Sequence, residues 1–243
     1  MKRILFLNPI HTNIFNQPYL EILKQYKNKE TEIEVTSLEG VGPKHLEYTC
    51  YEAIAMPNIV KKVKEAENAG FDGMVIGCFY DTALRAAREV SQNMMITAPA
   101  ESSLHIGATL GESISIIVGQ RKWIPEMQEN VSHYGYTNKV TSFKSVNLGV
   151  HEFQKDLTET KKRIMQASKE AIKKDGADVI ILGCTAEFGM YGELQEELGI
   201  PVIDSGLAAF KYAELLTEMK GKMNWSHSKR IGYQSPLLEE NFV

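Results

Sequence analysis

Three cysteines in 243 residues are too few, and the wrong number, for a disulfide framework. They imply free thiols in a reducing compartment. No apolar run approaches the roughly 20 residues that a bilayer requires, and the N-terminal MKRILFLNPI turns polar too soon for a secretory signal. A cytoplasmic protein with no membrane partner is expected. Cationic excess is also missing, with 27 Lys and Arg against 31 Asp and Glu and a formal charge of -4. The lysines alternate with acids on helix faces, as in KKVKEAEN and TETKKRIMQASKE, which offers no field for nucleic acid. No GxGxxG or phosphate-loop pattern follows a strand, and no two of the six histidines stand four apart with an acid between them. Neither a nucleotide cofactor nor a metal is therefore expected. Disorder and collagen-like classes are excluded by 43% hydrophobic and 24% charged residues with only 18 glycines.

What is present is an alternation of short apolar runs with longer amphipathic stretches. Strands are predicted at about 3 to 8, 32 to 38, 73 to 78, 94 to 98, 113 to 118, 139 to 146, 178 to 183 and 201 to 204. Helices fall between them, on the spacing of Tyr19, Leu20 and Leu23, of Ile59, Val60, Val63 and Ala66, and of Ile164, Ala167, Ala171 and Ile172. Gly70, Gly135, Gly176 and Gly199 are placed to close helices. Strand–helix alternation points to an α/β fold with parallel sheets.

Part of the sequence repeats. VKEAENAGFDGMVIGC and KEAIKKDGADVIILGC each read as helix, glycine stop, Asp, strand and Gly-Cys, and a further strand follows each. The repeat predicts two pseudo-symmetric α/β lobes, each with a mostly parallel four-stranded sheet flanked by helices. The expected division is 1–98 plus about 206–220 for the first lobe, 99–205 for the second, and 221–243 as a C-terminal tail. The repeat also places Cys78 and Cys184 at one kind of address, past the carboxyl end of a strand, where open α/β sheets hold ligands. Cys78 is followed by FYDTALRAAREV, in which Asp81 or Thr82 suits a helix cap, and Cys184 by Thr185, Glu187 and ELQEELG. A helix N-terminus beside a thiol favours the thiolate and offers N–H groups to an oxyanion. Buried cysteines that merely fill a core are the plain alternative; Cys50, in TCYEAIAM at the start of a helix and with no partner for its sulfur, is taken as structural. Asn8, at the end of the first strand, either binds a substrate polar group or forms a turn with Pro9.

Several of these segments resemble the hydantoin and allantoin racemase branch of the aspartate/glutamate/hydantoin racemase superfamily. GCFYDTALRAARE is similar to the branch's GCFGDPGLDAARE, GPKHLEYTCYEAIAMP to GPxSIExxYDEAxAxP, FLNPIHTN to INPNTS, and APAESSLH to GIAEAAMH. The likeness runs over most of residues 3 to 216. It implies two α/β lobes with the active site in the cleft between them, no cofactor, and Cys78 and Cys184 as facing catalytic bases that exchange roles with the hand of the substrate. Thr82 and Tyr80 replace residues of the branch pattern, and GCTAEF is nearer to the LGCT segment of amino-acid racemases.

The expected activity is a cofactor-independent racemase or epimerase of a small molecule with an acidic C–H beside a carbonyl: a 5-substituted hydantoin, allantoin or an amino acid. Asn8, Glu47, Phe79, Tyr80, Asp81, Thr82, Thr185 and Glu187 are the expected substrate contacts. Glu187 either accepts a substrate ammonium group or favours a helix N-terminus by its charge. A decarboxylase or cis-trans isomerase of the same superfamily, and a two-lobed binding protein without turnover, are the alternatives. The apolar tail, with Trp225, Tyr233, Leu237, Leu238 and Phe242, and the habit of the family point to a homo-oligomer; a tail folded over its own lobe explains it equally.

Overall fold

The computed structural model describes residues 1–236. It separates into two compact units, the first of Met1–Gly77, Asp81–Ala98 and the chain from Phe210 onward, the second of Cys78–Tyr80 and Pro99–Ala209.

The first unit holds β1 (Lys2–Asn8), α1 (Asn16–Tyr26), β2 (Thr31–Ser37), α2 (Thr49–Asn68), β3 (Gly73–Ile76), α3 (Leu84–Val90) and β4 (Met95–Thr97). Its sheet has the order β2-β1-β3-β4, all parallel. The second unit holds α4 (Pro99–Leu110), β5 (Ile114–Val118), α5 (Ile124–His133), β6 (Val140–Ser145), α6 (Leu157–Asp175), β7 (Val179–Leu182), α7 (Tyr191–Leu198) and β8 (Val202–Asp204). Its sheet runs β6-β5-β7-β8, again all parallel. Each half thus adds its strands in the same sequence, with the first strand between the second and third. The final helix α8 (Ser205–Met223) begins in the second unit and continues from Phe210 in the first.

The inner strands β3, β5 and β7 are buried along their whole length and β1 from Ile4 onward, as expected of parallel strands covered on both faces; of the edge strands, β2 and β6 are only partly covered while the short β4 and β8 are buried. The repeated Asp fastens each sheet at its start. Asp72 exchanges hydrogen bonds with the Arg3 backbone at 2.8 Å, and the Asp178 carboxylate accepts from Ser113 N at 2.7 Å and Glu112 N at 3.0 Å. Gly70, Gly135, Gly176 and Gly199 all have φ between 69° and 82°, the left-handed conformation that stops a helix with least cost at glycine.

One local expectation is corrected. Neither Asp81 nor Thr82 caps a helix after Cys78. The helix α3 starts only at Leu84, its N-cap residue is Ala83, and no side chain bonds the cap. Asp81 and Ala83 themselves take positive φ, 52° and 62°, so the chain turns sharply before the helix begins.

Described tail residues lie on the first unit. His227 Nε2 accepts from Ile96 N at 3.0 Å, Arg88 donates to Tyr233 OH at 3.2 Å, and Lys229 Nζ donates to the carbonyls of Arg88 and Glu89. Trp225 is exposed, and Leu237, Leu238 and Phe242 lie outside the described residues. No helix among the described residues is long and apolar enough to cross a membrane.

Candidate active site

The two Gly-Cys pairs occupy equivalent positions in their sheets. Gly77 follows β3 and donates its N–H to Leu7 O of β1 at 2.8 Å; Gly183 follows β7 and donates to Ile117 O of β5 at 2.7 Å. Any side chain there would collide with the neighbouring central strand. A Cβ on Gly77 would lie 2.5 Å from the Phe6 ring and 3.0 Å from Leu7 O, and one on Gly183 would lie 2.7 Å from Ile117 O. The glycine is therefore demanded by the sheet, and it delivers the next residue, the cysteine, just beyond the strand end. Cys78 and Cys184 are both partly exposed, unlike the wholly buried strands that lead to them. Cys50 is exposed at the start of α2.

After Cys78 the chain is held firmly. Phe79 and Tyr80 are buried, and in the second unit Asn130 Nδ2 donates to Tyr80 O at 2.8 Å. In the first unit the Thr82 hydroxyl donates to Glu52 Oε2 at 2.6 Å, a buried contact that anchors the left-handed turn at Asp81 and Ala83. Such backbone conformations cost about 1–3 kcal/mol each and persist where the surroundings fix them.

Cys184 is the N-cap of a 3-10 turn over Thr185–Glu187. The cap is reciprocal: the Glu187 N–H donates to Cys184 O at 3.0 Å and faces the cysteine sulfur in a capping box, and Glu187 Oε2 accepts the Cys184 N–H at 3.1 Å. An N–H that faces the sulfur favours its charged form. Gln154 Nε2 donates to Ala186 O at 2.8 Å and steadies the turn from outside. Glu187 itself has no exposure. Burial and the nearby Asp204 charge push its carboxyl well above the usual range, against the opposing Cys184 N–H. Asp204, likewise buried, is pushed up to about 6 despite accepting from Leu207, Gly189 and Gly206 N–H groups.

The remaining expected contacts lie in the first unit. Asn8 ends β1 and is buried, with Nδ2 donating to Asn16 Oδ1 at 2.7 Å and its carbonyl accepting Ile10 N in a turn. Glu47 lies in the loop before α2, with His45 Nδ1 at 3.7 Å. Asp81 and Thr82 belong to the first unit, while Cys78, Phe79, Tyr80, Cys184, Thr185 and Glu187 belong to the second. Four participants escaped the sequence reading. Glu52 stands inside the GPKHLEYTCYEAIAMP segment and Asp204 before a helical stretch, so both had a local signal. Asn130 and Gln154 act across the fold and had none. Among the described residues no group of three or more His, Cys, Asp or Glu is arranged to hold a metal ion.

Comparison with known proteins decides what these strand-end thiols belong to. The family model described as Asp/Glu/Hydantoin racemase matches residues 4–213. The chain is a member of the Asp/Glu/hydantoin racemase family. A hydantoin racemase from Paenarthrobacter aurescens is 32% identical over 98% of this chain and 99% of its own length, and one from Pseudomonas sp. strain NS671 is 29% identical over 98% and 93%. The structure of an allantoin racemase from Klebsiella pneumoniae superimposes with a TM-score of 0.91 at 25% identity, covering 98% of this chain and 94% of that one. The chain is thus an isomerase, a racemase of a small molecule.

Proposed function

We propose that this family member racemises a small cyclic amide of the 5-substituted hydantoin or allantoin type, without a cofactor, using Cys78 and Cys184 as paired acid and base. The observation that carries the reading is the same Gly-Cys strand end built twice, once after β3 and once after β7. The thiolate of one cysteine takes the proton from the stereocentre. The electron pair moves into the adjacent carbonyl, and the thiol of the other cysteine returns a proton to the opposite face. The products are the inverted substrate and the two cysteines with protonation states exchanged, so a second turnover runs in reverse without outside reagents.

Backbone N–H groups around Phe79 to Thr82 and after Cys184 hold the enolate oxygen in this reading. Asn8, Glu47 and Thr185 orient the ring, and Phe79 and Tyr80 wall it from water. An amino-acid substrate calls for a carboxylate to meet its ammonium group. Glu187, the acid nearest in sequence to Cys184, is fully buried and turned to the Cys184 N–H, which supports a neutral ring instead. Activity by thiols also implies a reducing compartment.

The test is a chiral assay of wild type, Cys78→Ala and Cys184→Ala with single enantiomers of 5-benzylhydantoin, allantoin and aspartate. Racemisation of a ring substrate should fall about 10³-fold in either variant. Turnover of aspartate alone would displace the substrate assignment, and full activity in either variant would displace the mechanism.

A further inference from the structure

We infer that Glu187 is the positioning residue of Cys184: a fully buried carboxyl group, bonded to the Cys184 backbone, that fixes the sulfur in the geometry in which it gives and takes a proton. This rests on the proposed role of Cys184 as one of the two bases.

Glu187 is tied to Cys184 twice, through its own N–H, which bonds Cys184 O at 3.0 Å and faces the sulfur in the capping box, and through Oε2 to the Cys184 N–H. The sulfur cannot swing without breaking a cap whose other half is the Glu187 side chain. The carboxyl group is fully buried, and Oε1 has no hydrogen-bond partner. Among the described residues, the charged group that acts on it is a second buried carboxyl, Asp204, which is pinned by N–H groups of Gly189, Gly206 and Leu207. Two carboxylates in one dry place oppose each other's ionisation, and burial together with the Asp204 charge pushes Glu187 up. An uncharged acid suits a base that must become anionic. A carboxylate at the same position would repel the thiolate and hold Cys184 in its protonated form.

The test reads Cys184 directly. Rates of alkylation of Cys184 and Cys78 by iodoacetamide, resolved by peptide mass spectrometry, are followed against pH in wild type, Glu187→Gln and Glu187→Leu. Glu187→Gln keeps the acceptor and the absence of charge, so the midpoint for Cys184 should stay within about 0.3 unit of wild type. Glu187→Leu removes the acceptor and loosens the cap. Cys184 should then alkylate about tenfold more slowly at pH 7, with Cys78 unchanged. Should the Glu187→Leu chain not fold, Glu187→Asp, one methylene shorter, takes its place with the same expectation. A fall of a unit or more in the Cys184 midpoint in Glu187→Gln would show an ionised Glu187 and overturn the inference. So would a Glu187→Leu chain in which both thiols, or neither, are altered. With 5-benzylhydantoin as probe, Glu187→Leu should slow deuterium exchange of one hand about tenfold more than the other. If wild type exchanges no compound, the racemase reading fails, while the alkylation result still decides what Glu187 does.

Discussion

Gly77 and Gly183 show how a single residue type can be forced by packing and then present a thiol at a strand end. Each lies against the central strand of its sheet, where a methyl group would sit within 3.0 Å of a backbone oxygen. Gly77→Ala or Gly183→Ala should therefore lower unfolding stability by about 1–3 kcal/mol in a denaturant titration, and should cost activity beyond that, because the thiol rides on the displaced strand end. Asp204 makes a different statement. Its carboxyl is pushed from 3.8 to about 6 by burial. Below about pH 4 the group is protonated in both folded and unfolded chains and contributes nothing to the pH dependence. Between about pH 4 and 6 the unfolded chain releases the proton that the folded chain keeps, so stability falls as pH rises, by up to about 3 kcal/mol, and the loss persists above pH 6. Asp204→Asn should remove that slope, measured as the difference in unfolding free energy between variant and wild type at pH 4 and pH 7. A constant difference across that range would mean the buried acid is not protonated in the folded chain.

At the scale of elements, the sequence was readable wherever burial dictated composition. MVI, SIIV and VIIL are inner strands buried on both faces, so apolar residues run without interruption, and Gly70 and Gly176 stop their helices where only a left-handed residue fits. The segment after Cys78 was not readable in the same way. Asp81 and Thr82 have the composition of helix caps, but Asp81 is left-handed and Thr82 is drawn to Glu52, a residue 30 positions away that no local pattern links to it. The Cys184 turn was half legible: Thr185 and Glu187 marked a helical start, but nothing local foretold that the Glu187 side chain would fold back to the Cys184 N–H or meet Asp204. Participation of Asn130 and Gln154, each bonding a carbonyl at least 30 residues away, was hidden for the same reason.

Over the whole molecule, the two sheets of identical strand order explain why one motif occurs twice: each half needs a glycine and presents a cysteine at the same point. The tail adds a device of its own. β4 is the edge of the first sheet, and His227, Lys229, Tyr233 and Ser235 bond to its Ile96 N–H and to the adjoining α3. An uncovered edge strand invites pairing with other chains. Deletion of residues 224–243 should lower the thermal midpoint by about 5–10 °C, the shift that a loss of about 2–4 kcal/mol produces in a chain of this size, and should raise aggregation on heating, seen by light scattering. An unchanged midpoint would assign the tail no role in the fold.

The central claim is that two thiols act on one stereocentre from opposite sides. Its most direct test is proton NMR in deuterated water with each enantiomer of a racemisable hydantoin, using wild type, Cys78→Ala and Cys184→Ala. Wild type should exchange the C5 proton of both hands and racemise both. Each variant should exchange the proton of one hand only, the two variants retaining opposite hands, and neither should racemise. Exchange of the same hand by both variants, or undiminished racemisation by either, would contradict the account.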